Sequence, residues 1–78
     1  MRFTEYFAEV RLRPDRAIIR EEWIEAAIQS PLRQQIQRDG RIRKWARVPG
    51  YVDRYLRVVL LEDGVTVHNA FLDRRFKP

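Results

Sequence analysis

Residues 56–71, LRVVLLEDGVTVHNAF, read as two apolar strands folded about Asp63-Gly64. Asp-Gly between alternating runs is the strongest short-range hairpin signal. A two-residue turn there pairs Glu62 with Val65 and sets every position that follows. It places Leu56, Val58, Leu60, Val65, Val67, Asn69 and Phe71 on the core face of a sheet. Tyr55, Arg57, Val59, Leu61, Thr66, His68, Ala70 and Leu72 then share the opposite face. The competing register is a three-residue loop with a bulge at Gly64, which moves His68 beside Val58 and Leu60. The two-residue turn segregates polar from apolar side chains better and is preferred.

The same signal recurs upstream. LRQQIQR (32–38) and RIRKWARV (41–48) flank Asp39-Gly40, and PGYVD (49–53) links the two hairpins. Together these runs predict a four-stranded antiparallel β-meander. In the strand after Asp39-Gly40, Ile42, Ala46 and Val48 suit the core, with Lys44 as a misfit. Arg41, Arg43, Trp45 and Arg47 then join the open face.

The first third of the chain changes period. Thr4 is suited to cap a helix, with Phe3 and Ala8 as a staple across the cap. Phe3, Phe7 and Val10 follow at helical spacing, and Pro14 closes the segment. DRAII (15–19) reads as a link. Glu21 and Glu22 favour a second helix start through the dipole. Trp23, Ile24, Ala27 and Ile28 form its apolar stripe, which Ser30-Pro31 ends. The expected architecture is a single α+β domain over residues 1–78, with two N-terminal helices packed on one face of the meander and the other face open.

Composition narrows the chemistry. The chain has 78 residues, 45% of them hydrophobic, enough for a modest core and too many for a disordered segment. With no cysteine and one histidine, a zinc site would need carboxylates nearly alone. Ser30 has no neighbouring histidine for a nucleophilic triad. Glu21, Glu22 and Glu25 sit at spacings that suit a solvated helix face and carry no signal for a glycosidase pair. All three glycines fall in turns, leaving none for a phosphate loop. No cofactor or metal is expected. MRFTEYFAEVR (1–11) is broken by charges, unlike a signal peptide, and no apolar run approaches a membrane span. A cytoplasmic placement away from membranes is expected.

The charge is uneven. Residues 41–78 carry nine Arg and Lys against four Asp and Glu, which accounts for the whole net charge of +5. Fourteen of the sixteen basic residues are arginine, whose planar fork grips phosphate or carboxylate bidentately. The open face collects Arg43, Trp45, Arg47, Tyr55, Arg57 and His68, and Arg74-Arg75 follow the last strand. Arginines neutralise phosphates, while Trp45 and Tyr55 offer stacking surfaces to unpaired bases. Metal-free RNA cleavage needs a base for the 2′-hydroxyl, an acid for the leaving oxygen and positive charge at the phosphate. His68 or Tyr55 fits the proton-transfer roles, with Arg57 or Arg43 for the developing charge. Arg43, Trp45, Arg47, Arg74 and Arg75 are the expected nucleic-acid contacts. Two non-enzymatic readings compete: a nucleic-acid binder without catalysis, and a protein-interaction module. In the latter, the edge strands RQQIQ (33–37) and VTVHNAF (65–71) pair with a second copy, or an acidic partner binds the cations.

The order of the two helices, DGRIRKW (39–45), LRVV (56–59) and EDGVTVHNAF (62–71) resembles a family of small bacterial and phage-associated domains. That family is itself similar to RelE-like and BrnT-like toxins of toxin–antitoxin systems. The resemblance runs from about Thr4 to Phe71. It implies a RelE-like fold, mRNA cleavage, an acidic antitoxin partner and roles for Arg43, Arg57, His68 and Tyr55. The chain departs from the family at Tyr6, where a histidine is common.

Overall fold

Thr4 lies in extended backbone and its hydroxyl accepts from the Phe7 amide, so α1 (Glu5–Val10) begins where the capping residue predicts. The helix ends at Val10, the last residue of its apolar spacing and four residues short of Pro14. Pro14 does not close it but opens a one-turn helix, α2 (Pro14–Ala17). A ring that fixes φ and lacks an amide suits the first helical position, where the N–H has no partner in any case. Part of the expected link is therefore helical, and three helices precede the sheet instead of two. The third, α3 (Glu21–Gln29), starts on two carboxylates and buries Ile24 and Ala27.

The computed structural model describes residues 1–78, and its sheet is the predicted antiparallel meander. Its strands are β1 (Arg33–Ile36), β2 (Ile42–Arg47), β3 (Tyr55–Leu60) and β4 (Val67–Leu72), hydrogen-bonded in chain order. Both Asp-Gly turns are wider than two residues. A tight type I′ turn needs φ above zero at both central positions, and only the glycines adopt it, Gly40 at 93° and Gly64 at 74°. The first hairpin therefore closes with Gln37 and Arg41 paired around three residues. The second closes with the Leu61 amide donating to the Thr66 carbonyl around four residues, and Glu62 and Val65 do not pair. Asp63 accepts from the amides of Val65 and Thr66 and from the Thr66 hydroxyl, which replaces the missing ladder bonds.

The register at the base of this loop is the expected one, with Leu60 opposite Val67. It then breaks. A β-bulge leaves His68 as the extra residue, and Val59 pairs with Asn69. Every later side chain of β4 changes face. Ala70 and Leu72, assigned to the open face from sequence, lie opposite Val58 and Leu56 and pack into the core. Asn69 and Phe71, assigned to the core, turn to the open side. Val65 sits in the loop, half exposed, and contributes nothing to the core.

The core joins Phe7, Ile19, Ile24 and Ala27 from the helical half to Val48, Leu56, Val58, Leu60, Val67 and Ala70 from the sheet, with no buried polar residue. Helix α3 contacts β2 and β3, while α1 and α2 contact β4. Lys44, the apparent misfit of the core-facing row, donates through Nζ to the Ile28 carbonyl at 2.7 Å. It thereby satisfies an orphan acceptor at the C-terminal end of α3 and complements the helix dipole. Arg2 and Thr4 exchange backbone hydrogen bonds with Val67, so β4 is not a free edge there. That removes part of the pairing surface expected of residues 65–71. The β1 edge has no strand beyond it, and its four side chains are exposed. No helix is long and apolar enough to cross a membrane.

Candidate nucleic-acid interface

The sheet register lines up one row across all four strands: Arg33, Trp45, Arg57 and Phe71. Cations and aromatic rings alternate along it. The Arg57 guanidinium stands 4.6 Å from the Phe71 ring centre and 5.8 Å from that of Trp45. Beyond β4, Arg16 of α2 lies 5.3 Å over the other end of the row at Phe71 and donates to Asn69 Oδ1 at 2.6 Å. Contacts of this kind contribute about 0.5–1 kcal/mol each at exposed sites and more when desolvated. The bulge at His68 is what delivers Phe71 to this row.

The segment after β4 folds back over the row. Asp73 extends the ladder by donating its amide to the Tyr55 carbonyl, and its carboxylate turns inward. There it accepts from Trp45 Nε1 at 2.9 Å and from the Arg75 amide at 3.0 Å, with Arg57 at 3.7 Å. Burial pushes the Asp73 carboxyl up, but the Trp45 and backbone hydrogen bonds and the Arg57 charge outweigh it and hold it below its ordinary value. Phe76 then stacks on Trp45, with ring centres 5.2 Å apart and planes 15° apart. Trp45 is consequently buried, although it belongs to the open face. It is not the free stacking surface expected from sequence, because the tail already covers it.

Between this tail and the sheet lies a groove of about 900 Å³. Five cations line it, Arg33, Arg57, Arg74, Arg75 and Lys77, against the single carboxylate of Asp73. Arg57 is the innermost. Burial lowers its pKa, Asp73 opposes that fall and Arg43 adds to it, and the Arg57 Nε is fully covered without a hydrogen-bond partner.

The remaining predicted residues sit around or away from the groove. Arg43 occupies the next row, beside Gln35, Val59 and Asn69. Its guanidinium faces the Gln37 side chain, whose carbonyl oxygen accepts from it. Arg47 leans over Tyr55, 5.6 Å from the ring centre, and donates to its hydroxyl at 3.4 Å. Tyr55 in turn meets Phe76, with ring centres 5.1 Å apart.

His68 stands apart from these groups. Its Nδ1 is 3.2 Å from the Thr4 hydroxyl, and its ring stacks on Tyr6 at 4.9 Å. Because that hydroxyl already accepts from Phe7, its own proton is free for Nδ1, which suits a neutral imidazole protonated on Nε2. Burial, then the charge of Arg41, pushes the His68 pKa down. His68 is half-buried against Thr4 and Tyr6 and does not line the groove. Three residue steps along β4 separate it from Phe71, about 10 Å along a strand. The structure thus gathers Trp45, Arg57, Arg74 and Arg75 at one site, puts Tyr55 and Arg47 at its end, and leaves His68 against α1.

Sequence reading missed Arg33, Asp73, Phe76 and Lys77. The available signal was Phe76 itself, a large apolar residue isolated in a basic tail, which needs something to pack against. No family model, curated protein or solved structure matches this chain, so the groove is characterised by its own residues alone.

Proposed function

We propose that the chain binds single-stranded RNA along the groove on the outer face of its sheet, as a toxin-like RNA-binding domain. One observation carries the reading: five cations converge on a single groove whose only carboxylate is already engaged by Trp45 and Arg57. Phosphates neutralise such a surface, and the bidentate geometry of arginine suits their oxygens. An antiparallel sheet carrying cations on the side away from its core supports the RelE-like placement suggested by the sequence resemblance. The test is fluorescence anisotropy with a labelled oligouridylate across a salt series. Three to four neutralised phosphates give a slope of about −2 to −3 in log K against log salt. Arg57→Ala should weaken binding and flatten that slope by about 0.7 in magnitude, the share of one phosphate on a single strand. A flat salt series, or no binding at low salt, overturns the proposal.

A second reading adds cleavage. The observation favouring it is His68, whose pKa burial and the Arg41 charge push down and whose ring Thr4 and Tyr6 orient, as suits a base for a 2′-hydroxyl. An RNA lying in the groove reaches His68 only by continuing past the Arg43 row. If the reading holds, His68→Ala abolishes product formation and leaves groove affinity within twofold. Equal cleavage by both proteins, or none by either, removes it and leaves a non-catalytic binder.

A further inference from the structure

Phe76 occupies a slot with three unlike walls. The Trp45 indole lies nearly parallel to its ring, the Arg33 guanidinium stands over it at 4.9 Å, and Tyr55 tilts against it. A flat apolar ring held by an indole, a cation and a phenol is an arrangement equally suited to a nucleobase. Bases stack on aromatic side chains and on guanidinium planes with little regard to sequence. The slot also adjoins the cationic groove, so a strand whose phosphates run there has bases at hand to fill it.

The hold on the Phe76 ring is separable from the hold on the tail's backbone, in which the Phe76 amide also faces Asp73. Asp73 is fixed by the Tyr55 carbonyl, the Trp45 indole and Arg57, and it in turn binds the Arg75 amide. A phenyl ring has no hydrogen bond of its own to lose. It can leave the slot while Asp73 and the groove-lining arginines keep their positions. Trp45 would retain its bond to Asp73 and expose one face.

We infer that Phe76 is a stand-in for ligand: an unpaired base of the bound strand displaces it and stacks on Trp45 beside Arg33. This rests on the groove reading and adds a base subsite gated by the chain's own tail. It makes the wild-type protein a weak discriminator between an RNA and its backbone, because each stacked base must first expel Phe76.

The experiment compares an oligouridylate with an abasic strand of equal length, on the full chain and on Phe76→Ala. The variant should bind oligouridylate at least fivefold tighter than wild type and bind the abasic strand equally well. In the wild-type protein, the Phe76 ring proton resonances should move toward exposed values on adding oligouridylate and stay in place with the abasic strand. The slot is refuted if the variant gains nothing for bases, or if the Phe76 resonances respond alike to both strands. Salt-dependent abasic binding alongside that result leaves the groove reading standing. No binding of the abasic strand by either protein overturns the groove and the slot together.

Discussion

Asp73 is the one residue whose removal should weaken the fold and strengthen the groove. Its carboxylate accepts from Trp45 Nε1 and the Arg75 amide and faces Arg57, and its side chain is 13% exposed. Hydrogen bonds to a charged group contribute about 1.5–3 kcal/mol each, less where water can replace them. In Asp73→Ala, water can satisfy the Arg75 amide, but the covered Trp45 indole and the partly buried Arg57 lose a partner. A cost of about 2–3 kcal/mol follows, which in a domain of this size lowers Tm by about 10–20 °C. The effect on ligand has the opposite sign. A carboxylate about 6 Å from a bound phosphate repels it by about 0.7 kcal/mol in water, so its loss should tighten RNA about threefold. Thermal unfolding followed by circular dichroism reads the first effect, and anisotropy at a temperature well below both midpoints reads the second. Asp73→Asn keeps a carbonyl for Trp45 and should lose less stability for the same gain in affinity. A Tm within 2 °C of wild type, or RNA affinity that falls in both variants, would refute the reasoning.

Asp63 offers a cleaner pH signature. The Thr66 hydroxyl and amide, then the Val65 amide, lower its pKa from 3.8 to about 2. Its folded value lies below its unfolded one, so the stabilisation is complete above about pH 4 and is lost as pH falls toward 2. Acid titration of unfolding stability should show a steeper fall across that window in wild type than in Asp63→Asn, and parallel curves would count against the loop geometry. Leu60→Ala removes a fully buried side chain and should cost about 2–5 kcal/mol by denaturant unfolding. Val65→Ala, at a position read as core from sequence, should change stability by less than about 0.5 kcal/mol.

Much of the fold was legible because local chemistry and tertiary packing agree. Thr4 caps, the Asp-Gly pairs turn, and Leu56, Val58, Leu60 and Val67 alternate as a half-buried sheet requires. The misses arose where one residue's conformation decided the fate of many. Asp63 does not take a positive φ, so the turn widens without changing its base register. His68 then bulges and reverses the faces of Asn69, Ala70, Phe71 and Leu72. Periodicity cannot reveal that event, because VHNAFL contains an apolar residue for either face.

The sequence by itself determined the meander, the Arg-rich second half and the list of cations available to a ligand, since these follow from alternation, turn residues and composition. Only the tertiary structure decided which of them meet. Register sets Arg33, Trp45, Arg57 and Phe71 in one row, and the return of Asp73 and Phe76 closes a groove over it. The physical reason is the period of two in a strand: one bulged residue exchanges a β-strand's faces, and no pattern shorter than the folded sheet records it.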